Sequence, residues 1–310
     1  MIGIEEVEFY VPSVRPSIYE LQEQLGLSSS EMEQLTEYHK LHHIAVEKYL
    51  SVHEMLEIAA KNLFSQCRVP TEEIGLILFT HSIPQICPFL FDPISRIKET
   101  YGLENVPSFS IGQLNCASLD YLLFVCKQWL LARKDMKGIL FFSADKMFTQ
   151  SFRYLKNSSV MGDAAVAGWV KKNATRNFIL SSGIDVHATI YDGEASKEEE
   201  FNWFQRTFTM GLVKTFRQTL KKQNVPLDQL RYIFPSNVNT STWGIVSRML
   251  KLPAERFYFP TLSQVGHAHN ADALLNYSHA VEYGMLKKGD FFATLTVGMG
   301  STFGCTLFQH

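Results

Sequence analysis

The chain has 310 residues, of which 46% are hydrophobic and 19% charged, with a formal net charge of −2 at pH 7. This length accommodates one large domain or two packed halves, and the composition is ordinary for a globular enzyme. The nearly balanced charge provides no electrostatic attraction to nucleic acid or to a membrane surface, so neither is predicted as a partner. Residues 1–6 are acidic and strand-like rather than a signal peptide, and no apolar run is long enough for a membrane span, so a cytoplasmic protein is expected.

Cysteines and histidines give no sign of a disulfide framework or a metal site. The five cysteines form no CxxC pair, and their odd count suits a reducing compartment: Cys67, Cys87, Cys116, Cys126 and Cys305. His42 and His43 are adjacent in a candidate loop, and adjacent histidines without further ligands do not make a metal site. No metal is predicted.

Hydrophobic periodicity alternates strands with helices along the whole chain, which predicts an α/β fold. Strands are predicted at 2–10, 74–81, 107–111, 137–144, within 160–170, and at 177–186, 232–235, 257–259, 291–297 and 303–308. Helices are predicted at 17–25, 51–64, 93–101, 117–132, 208–223 and 240–250, with a last helix opening near 265–272 and ending at about 285. The charged run 197–200 is predicted to be a solvated loop. No linker-like stretch divides the chain, so its two halves should pack together.

The stretch 109–120, FSIGQLNCASLD, carries the first candidate for chemistry. Cys116 falls where the predicted strand gives way to the predicted helix. The first-turn N–H groups of a helix are unpaired and the helix dipole is positive there, so a thiolate at Cys116 would be stabilised. That is how a nucleophilic cysteine is made. The alternative is a small buried residue, as most free cysteines are.

Five further segments, in this order and spacing, resemble the ketoacyl synthase III branch of the thiolase superfamily over essentially the whole chain. They are 161–165 (MGDAA), 227–235, the turn at Gly266, 286–290 (LKKGD) and 298–304 (GMGSTFG). The resemblance implies a thiolase fold, a five-layered αβαβα sandwich of two similar halves, 1–172 with the nucleophile and 173–310 with the catalytic histidine. It also implies a homodimer, no permanently bound cofactor, and an acyl group passed from coenzyme A or the phosphopantetheine of an acyl carrier protein to Cys116.

Two positions depart from the pattern of the condensing members. Those members place a His after the Pro of the second catalytic loop and an Asn after the Gly of the third, where this chain has Ser236 and His267. The His and Asn donate hydrogen bonds to the malonyl thioester carbonyl, and removing such a donor typically costs about 10²–10³ in rate. Decarboxylative carbon–carbon condensation is therefore not expected.

What remains is a Cys–His–Asp set. His267 is the candidate general base, with His269 as its competitor, and Asp272 is five residues beyond His267 and would orient the imidazole. The alternative for Asp272 is a carboxylate placed at a helix N-terminus. The pattern resembles the ketoacyl synthase III-like acyltransferases of antibiotic pathways, which make esters or amides. It implies a transfer to an O or N acceptor in secondary metabolism.

The remaining expectations concern binding. The oxyanion hole is assigned to the amides of Cys116 and Met299, although condensing members have Gly at the second position. Candidates for the pocket are Ser236, Asn237, Asn239 and His269, Asn239 matching an Asn of the family. Carrier-protein docking is assigned to Lys214 and Arg217, and Ser241, where the family has an arginine near the adenine of coenzyme A, favours a carrier-bound donor.

The predicted function is thus a thioester-dependent, ping-pong acyltransferase. Two alternatives stay open at this point. One is a condensing enzyme that uses a Cys–His dyad, and the other is a non-catalytic partner subunit of a synthase heterodimer.

Overall fold

The computed structural model describes residues 1–83, 86–88, 90–156, 158–187, 190 and 196–310. Its strands are β1 (Ile2–Tyr10), β2 (Ile74–Thr80), β3 (Ser108–Ile111), β4 (Gly138–Asp145), β5 (Tyr154–Leu155), β6 (Ser159–Val160), β7 (Ala164–Lys172), β8 (Phe178–Val186), β9 (Leu230–Pro235), β10 (Phe291–Gly298) and β11 (Thr302–Gln309). Its α-helices are α1 (Gln22–Leu25), α2 (Ser29–Glu33), α3 (Val52–Gln66), α4 (Ser95–Tyr101), α5 (Ser118–Ala132), α6 (Glu198–Lys221), α7 (Thr240–Leu250), α8 (Leu262–Val265) and α9 (Asp272–Glu282).

Nine strands join in the order β3-β2-β4-β7-β1-β8-β11-β10-β9, and the two ends of this sheet repeat one pattern. β2 runs parallel to β4 as β9 does to β10, while β7 and β11 run antiparallel to both of their neighbours. A single parallel bridge between Ile233 and Phe257 occupies the place that β3 has in the first half, so the strand predicted at 257–259 is reduced to one residue pair. The halves meet at β1 and β8, and the division of the chain between residues 172 and 173 stays a prediction.

Helices lie between the two halves of the sheet and also cover their outer faces. α5 contacts β2 and β4 of the first half and β8 and β11 of the second, while α9 contacts β9, β10 and β1. α3 covers β1, β7 and β4 from outside, and α6 covers β8 and β11. Because α5 and α9 share one buried cluster with both halves of the sheet, they form the middle layer. The predicted five-layered αβαβα sandwich is confirmed.

α6 is where the predicted boundaries are most in error. The run 197–200 was expected to be a solvated loop, but Glu198 already begins the helix. The Lys197 N–H donates to the Glu200 side chain at 2.8 Å, and three glutamates in the first turn suit the positive end of the helix dipole. Capping and charge, rather than apolar periodicity, therefore begin this helix. Although α6 has 24 residues, none of the helices in the described ranges is long and apolar enough to cross a membrane.

Gly162 brings the segment before β7 against the turn that carries His267. The Gly162 N–H donates to the His267 carbonyl at 2.9 Å, and the His267 N–H donates to the Val160 carbonyl at 3.0 Å. A Cβ at Gly162 would lie 2.2 Å from the Val265 carbonyl oxygen. Only a glycine permits this approach, so the MGDAA motif sets the position of His267.

Asp163 anchors the same segment from the other side. Its carboxylate pairs with the Arg153 guanidinium at 2.7 and 2.8 Å, both side chains being fully buried. It also accepts hydrogen bonds from the backbone N–H groups of Glu47 and Met147. A buried ion pair of this kind is costly to break by removing one partner, so it holds the segment rigidly.

We expect Gly162→Ala to destabilise the protein by about 1–3 kcal/mol, because the added methyl group meets a backbone oxygen that cannot rotate away. Gly244→Ala is the matched control, since a Cβ there would lie 3.7 Å from its nearest neighbour within α7. That variant should be neutral or more stable by about 0.5–1 kcal/mol. Urea unfolding of both variants measures the difference, and equal stabilities would contradict the packing argument.

Candidate active site

Cys116 lies between β3 and α5, in a single 3₁₀ turn formed by Asn115–Ala117. Gln113 and Asn115 have φ angles of +71° and +48°, in the left-handed region that non-glycine residues seldom adopt. Such backbone persists only where the surroundings hold it. The side chain of Cys116 is 9% exposed, so the thiol is nearly enclosed at the start of the middle-layer helix.

The three residues of the predicted Cys–His–Asp set lie in contact. The Cys116 Sγ is 3.2 Å from Nε2 of His267, and Nδ1 of His267 is 2.5 Å from an Asp272 carboxylate oxygen. Asp272 also accepts hydrogen bonds from the backbone N–H groups of Ala268 and Asn237, each at 2.7 Å. Asp272 is the first residue of α9, so it is both a helix N-terminal carboxylate and the partner of the imidazole.

The charge on His267 depends on its two neighbours. Burial lowers the pKa of this imidazole, but the negative charges of Cys116 and Asp272 and their hydrogen bonds together hold it well above its ordinary value. The raised pKa favours the protonated form of His267. An imidazolium facing a thiolate is the arrangement of an activated cysteine.

His269 reaches the same sulfur from a second direction. Its Nδ1 is 3.8 Å from the Cys116 Sγ, and its ring centroid is 5.3 Å from that of His267. Burial, the positive charge of His267 and that of Arg153 hold the pKa of His269 well below its ordinary value. His269 is therefore neutral, and among the described residues its Nδ1 lies beside the Cys116 sulfur rather than beside a carboxylate. The geometry favours His267 as the base, with His269 as a second neighbour of the sulfur.

The other three pocket candidates lie in the loop after β9. The Asn237 amide donates to Gly266 and Thr261, and the Asn239 side chain caps α7 by accepting from the Thr242 N–H at 2.7 Å. Ser236 is fully buried, and its hydroxyl has no hydrogen-bond partner among the described residues. The side chains of the two asparagines thus form hydrogen bonds within the protein. A role for all three residues in the pocket stays a prediction.

The turn 298–301 packs directly against the loop that carries Cys116. The Asn115 side chain donates to the Met299 carbonyl at 2.6 Å, and the Thr302 hydroxyl donates to the Leu114 carbonyl at 3.0 Å. A Cβ at Gly298 would lie 2.3 Å from that same carbonyl oxygen, so the approach requires glycine. The turn is close to the cysteine, and the assignment of the Cys116 and Met299 amides to an oxyanion hole stays a prediction.

Asn270 is a positioning residue that the sequence analysis missed. Its side chain accepts from the Leu119 N–H of α5 at 3.0 Å and donates to the Ser82 hydroxyl at 2.9 Å. Asp145 in turn accepts from the backbone N–H groups of Ser82 and Ile83, while burial raises the pKa of its carboxyl to about 7. The sequence position of Asn270, between the candidate residues His269 and Asp272, could have indicated its role. This chain of bonds fixes the cysteine helix relative to the histidine turn.

A cavity of about 550 Å³ adjoins the loop before Cys116. Its wall combines aromatic side chains, including Phe91 and Phe109, with the polar His81 and Asp92. A Cβ at Gly112 would lie 3.9 Å from the His81 ring, which places the cavity beside the cysteine loop. Its size falls in the range of small-molecule sites.

The cations assigned to carrier docking lie on α6. Lys214 pairs with Asp185 at 2.7 Å and is half exposed, and Arg217 donates to the Met249 carbonyl at 3.3 Å. An exposed pair of this kind contributes little to stability. Both cations therefore remain accessible to a partner, and their role in docking stays a prediction.

The layers and strand order, with a buried cysteine facing a histidine where α5 and α9 begin, match the thiolase fold that the sequence predicts. Residues 220–310 match the family model described as 3-Oxoacyl-[acyl-carrier-protein (ACP)] synthase III C terminal. The Beta-ketoacyl-[acyl-carrier-protein] synthase III of Clostridium beijerinckii is 23% identical over 274 residues, covering 81% of this chain and 82% of that protein.

Solved structures agree with these relatives. The 3-oxoacyl-[acyl-carrier-protein] synthase III of Aquifex aeolicus superposes with a TM-score of 0.82 at 18% identity, covering 100% of both chains. The acyltransferase ChlB3 superposes with a TM-score of 0.85 at 19% identity, covering 99% of this chain and 97% of that one. The predicted resemblance to ketoacyl synthase III is confirmed, and the chain has the thiolase fold.

The two histidines should give opposite pH dependences of stability. Because folding raises the pKa of His267, its contribution is fully present below about pH 6.5 and is lost as the pH rises through the raised pKa. Because folding lowers the pKa of His269, its contribution is present above about pH 6.5 and is lost as the pH falls.

Urea unfolding across pH measures both effects. The loss of stability in His267→Gln should be largest at low pH and shrink as the pH rises. The loss in His269→Asn should follow the opposite trend, Asn being a residue that accepts the +55° φ angle of this position. Parallel curves for the two variants would contradict the assigned charges.

Proposed function

We propose that this protein is an acyltransferase that carries an acyl group as a thioester on Cys116 and delivers it to an O or N acceptor. The observation that carries the proposal is the continuous contact from the Cys116 sulfur through His267 to Asp272, at 3.2 and 2.5 Å. Such a set suits a nucleophile, a proton carrier and an orienting carboxylate.

In the loading step the Cys116 thiolate attacks the thioester carbonyl of the donor. A new C–S bond forms, the bond to the donor sulfur breaks, and the His267 imidazolium gives its Nε2 proton to the departing thiolate. His267 is left neutral, with Nδ1–H still donating to Asp272. Its Nε2 then carries a lone pair directed towards the acyl group.

In the discharge step His267 takes a proton from the acceptor hydroxyl or amine as the acceptor attacks the thioester carbon. An ester or amide forms, the C–S bond breaks, and the thiolate and imidazolium are restored. General-base catalysis of this kind typically contributes about 10²–10⁴ in rate. The Asp272 carboxylate keeps the imidazole in the tautomer that both steps need.

The same residues do not suit stabilisation of the enolate that forms in decarboxylative condensation. Ser236 is buried and stands where condensing members have a histidine donor. The hydroxyl of a serine lies closer to the backbone than the N–H of an imidazole, so it does not replace that donor. His267, directed at the sulfur and bonded to Asp272, is set up to move a proton. ChlB3, which shares the fold, is described as an acyltransferase, whereas the relatives found by sequence are described as synthases III. Condensation is therefore the outcome that the experiment must be able to reveal.

We expect wild-type protein to gain one acyl group when it is incubated with a panel of acyl thioesters, and Cys116→Ala to gain none. His267→Ala should discharge the loaded acyl group to an alcohol or amine about 10²–10⁴-fold more slowly. Intact-mass spectrometry measures loading and discharge on the same samples. His279→Ala is the matched control, because it removes a histidine of α9 that contacts Tyr258.

Three outcomes would count against the proposal. Release of carbon dioxide from a malonyl donor by loaded protein would establish condensation. Discharge by His267→Ala at the wild-type rate would remove the proposed base. Failure of every thioester to load wild type would favour a non-catalytic subunit, with co-purification of a second synthase-like chain as its sign.

The donor is proposed to be carried by an acidic acyl carrier protein that meets Lys214 and Arg217, in a homodimeric enzyme. Lys214→Met with Arg217→Ala should slow loading from an acyl carrier protein several-fold, and the effect should shrink as salt screens the charges. Loading from acyl-coenzyme A should be unchanged. Arg133→Ala removes an exposed cation outside α6 and is the control. An equal effect on both donors would contradict docking at this surface.

A further inference from the structure

Three potential metal ligands converge on one point of the site. The Cys116 Sγ, His267 Nε2 and His269 Nδ1 lie within 4.8 Å of one another, on side chains that are all buried. Zinc is bound at about 2.3 Å from sulfur and 2.0–2.1 Å from imidazole nitrogen, so tetrahedral angles separate the S and N ligands by roughly 3.5 Å. The observed separations from the sulfur, 3.2 and 3.8 Å, lie on either side of this value. Both S–N separations are therefore within a few tenths of an ångström of the value for a bound zinc ion.

The chemistry of these ligands selects the ion. One thiolate and two imidazoles suit Zn²⁺, whereas Mg²⁺ and Ca²⁺ require oxygen ligands. Cys116 and Asp272 together supply two negative charges against the charge of the ion. Arg153, the nearby cation that lowers the pKa of His269, is itself neutralised by Asp163. Three protein ligands would leave one coordination position for water.

The surroundings of His267 match those of a metal-bound histidine. A ligating histidine usually donates its other ring N–H to a carboxylate, which fixes the tautomer and raises the basicity of the ligand. Asp272 occupies this place at 2.5 Å and is itself held by two backbone N–H groups. Nε2 of His269 has no hydrogen-bond partner among the described residues, so no contact at Nε2 fixes the tautomer of this ring.

We propose that Cys116, His267 and His269 bind one Zn²⁺ ion and that this ion is a reversible inhibitor of the protein. The ion replaces the single proton shared by Cys116 and His267, so one proton is released for each ion bound, and no oxidant or reductant is needed. The bound sulfur cannot attack a thioester. Only the inhibition rests on the proposed acyltransferase function, because binding of the ion does not require it.

Co²⁺ is the probe, because a cobalt–thiolate bond gives a near-ultraviolet charge-transfer band. Titration of the full-length wild-type protein should produce this band with a stoichiometry of one, and Zn²⁺ or EDTA should abolish it. Cys116→Ser should lose the band. Asp272→Asn should weaken Co²⁺ binding about 10–100-fold, as loss of the group that orients a ligand does. His269→Asn, which removes a ligand, should weaken it at least as much.

His279→Asn is the control and should bind Co²⁺ as wild type does. Far-ultraviolet circular dichroism identifies any variant that has not folded. A second measurement needs no variant: Zn²⁺ should protect Cys116 of the wild-type protein from alkylation by iodoacetamide. The proposal is overturned if wild type shows no band and no protection, or if folded His269→Asn binds Co²⁺ as tightly as wild type. Neither measurement uses an acyl donor, so a protein that binds Co²⁺ but loads no thioester contradicts the proposed function alone.

Discussion

The buried Asp272 carboxylate is the interaction on which the site depends. It accepts hydrogen bonds from the His267 ring and from two backbone N–H groups, Ala268 and Asn237, and so joins the turn before α9 to the loop after β9. A buried charge is tolerated only when it is paired and bonded in this way. Because the partners of Asp272 come from different turns, the carboxylate sets the direction of His267 and, through it, the charge facing Cys116.

The site is assembled from both halves of the chain. α5 brings Cys116 from the first half and α9 brings Asp272 from the second, and the two helices lie in one layer between the halves of the sheet. Gly162 joins the segment before β7 to the turn before α9 by a close backbone approach, and Asn270 joins that turn to the Leu119 N–H of α5 and to Ser82 by side-chain bonds. Small displacements between the halves would therefore change the separation of the sulfur and the imidazole.

The two histidines beside the Cys116 sulfur have opposite pKa shifts. The pKa of His267 is raised because its interactions with Cys116 and Asp272 outweigh its burial, whereas burial and the charge of a protonated His267 lower the pKa of His269. The positive φ angle of His269 indicates that the backbone is held in a disfavoured conformation to bring this ring to the site. The arrangement is the one on which the proposed acyl transfer depends, and it also produces the ligand set proposed for zinc.

Sequence patterns were enough to predict the α/β class, most element boundaries and Cys116, and the family resemblance added His267 and Asp272 as candidates. Local patterns were sufficient there because strands and helices follow apolar periodicity, and because the motifs around these residues are contiguous. The prediction failed at the start of α6, where capping and charge rather than periodicity begin the helix.

The three-dimensional packing was needed to show that His267 has a carboxylate beside it, that Asn270 and Asp145 connect the elements around the candidate site, and that His269 reaches the sulfur. It also brought together Cys116, His267 and His269, the ligand set proposed above for zinc. The physical reason is distance along the chain: the Cys116–His269 and Leu119–Asn270 contacts join residues about 150 positions apart, and no local periodicity encodes which side chains such packing brings into contact.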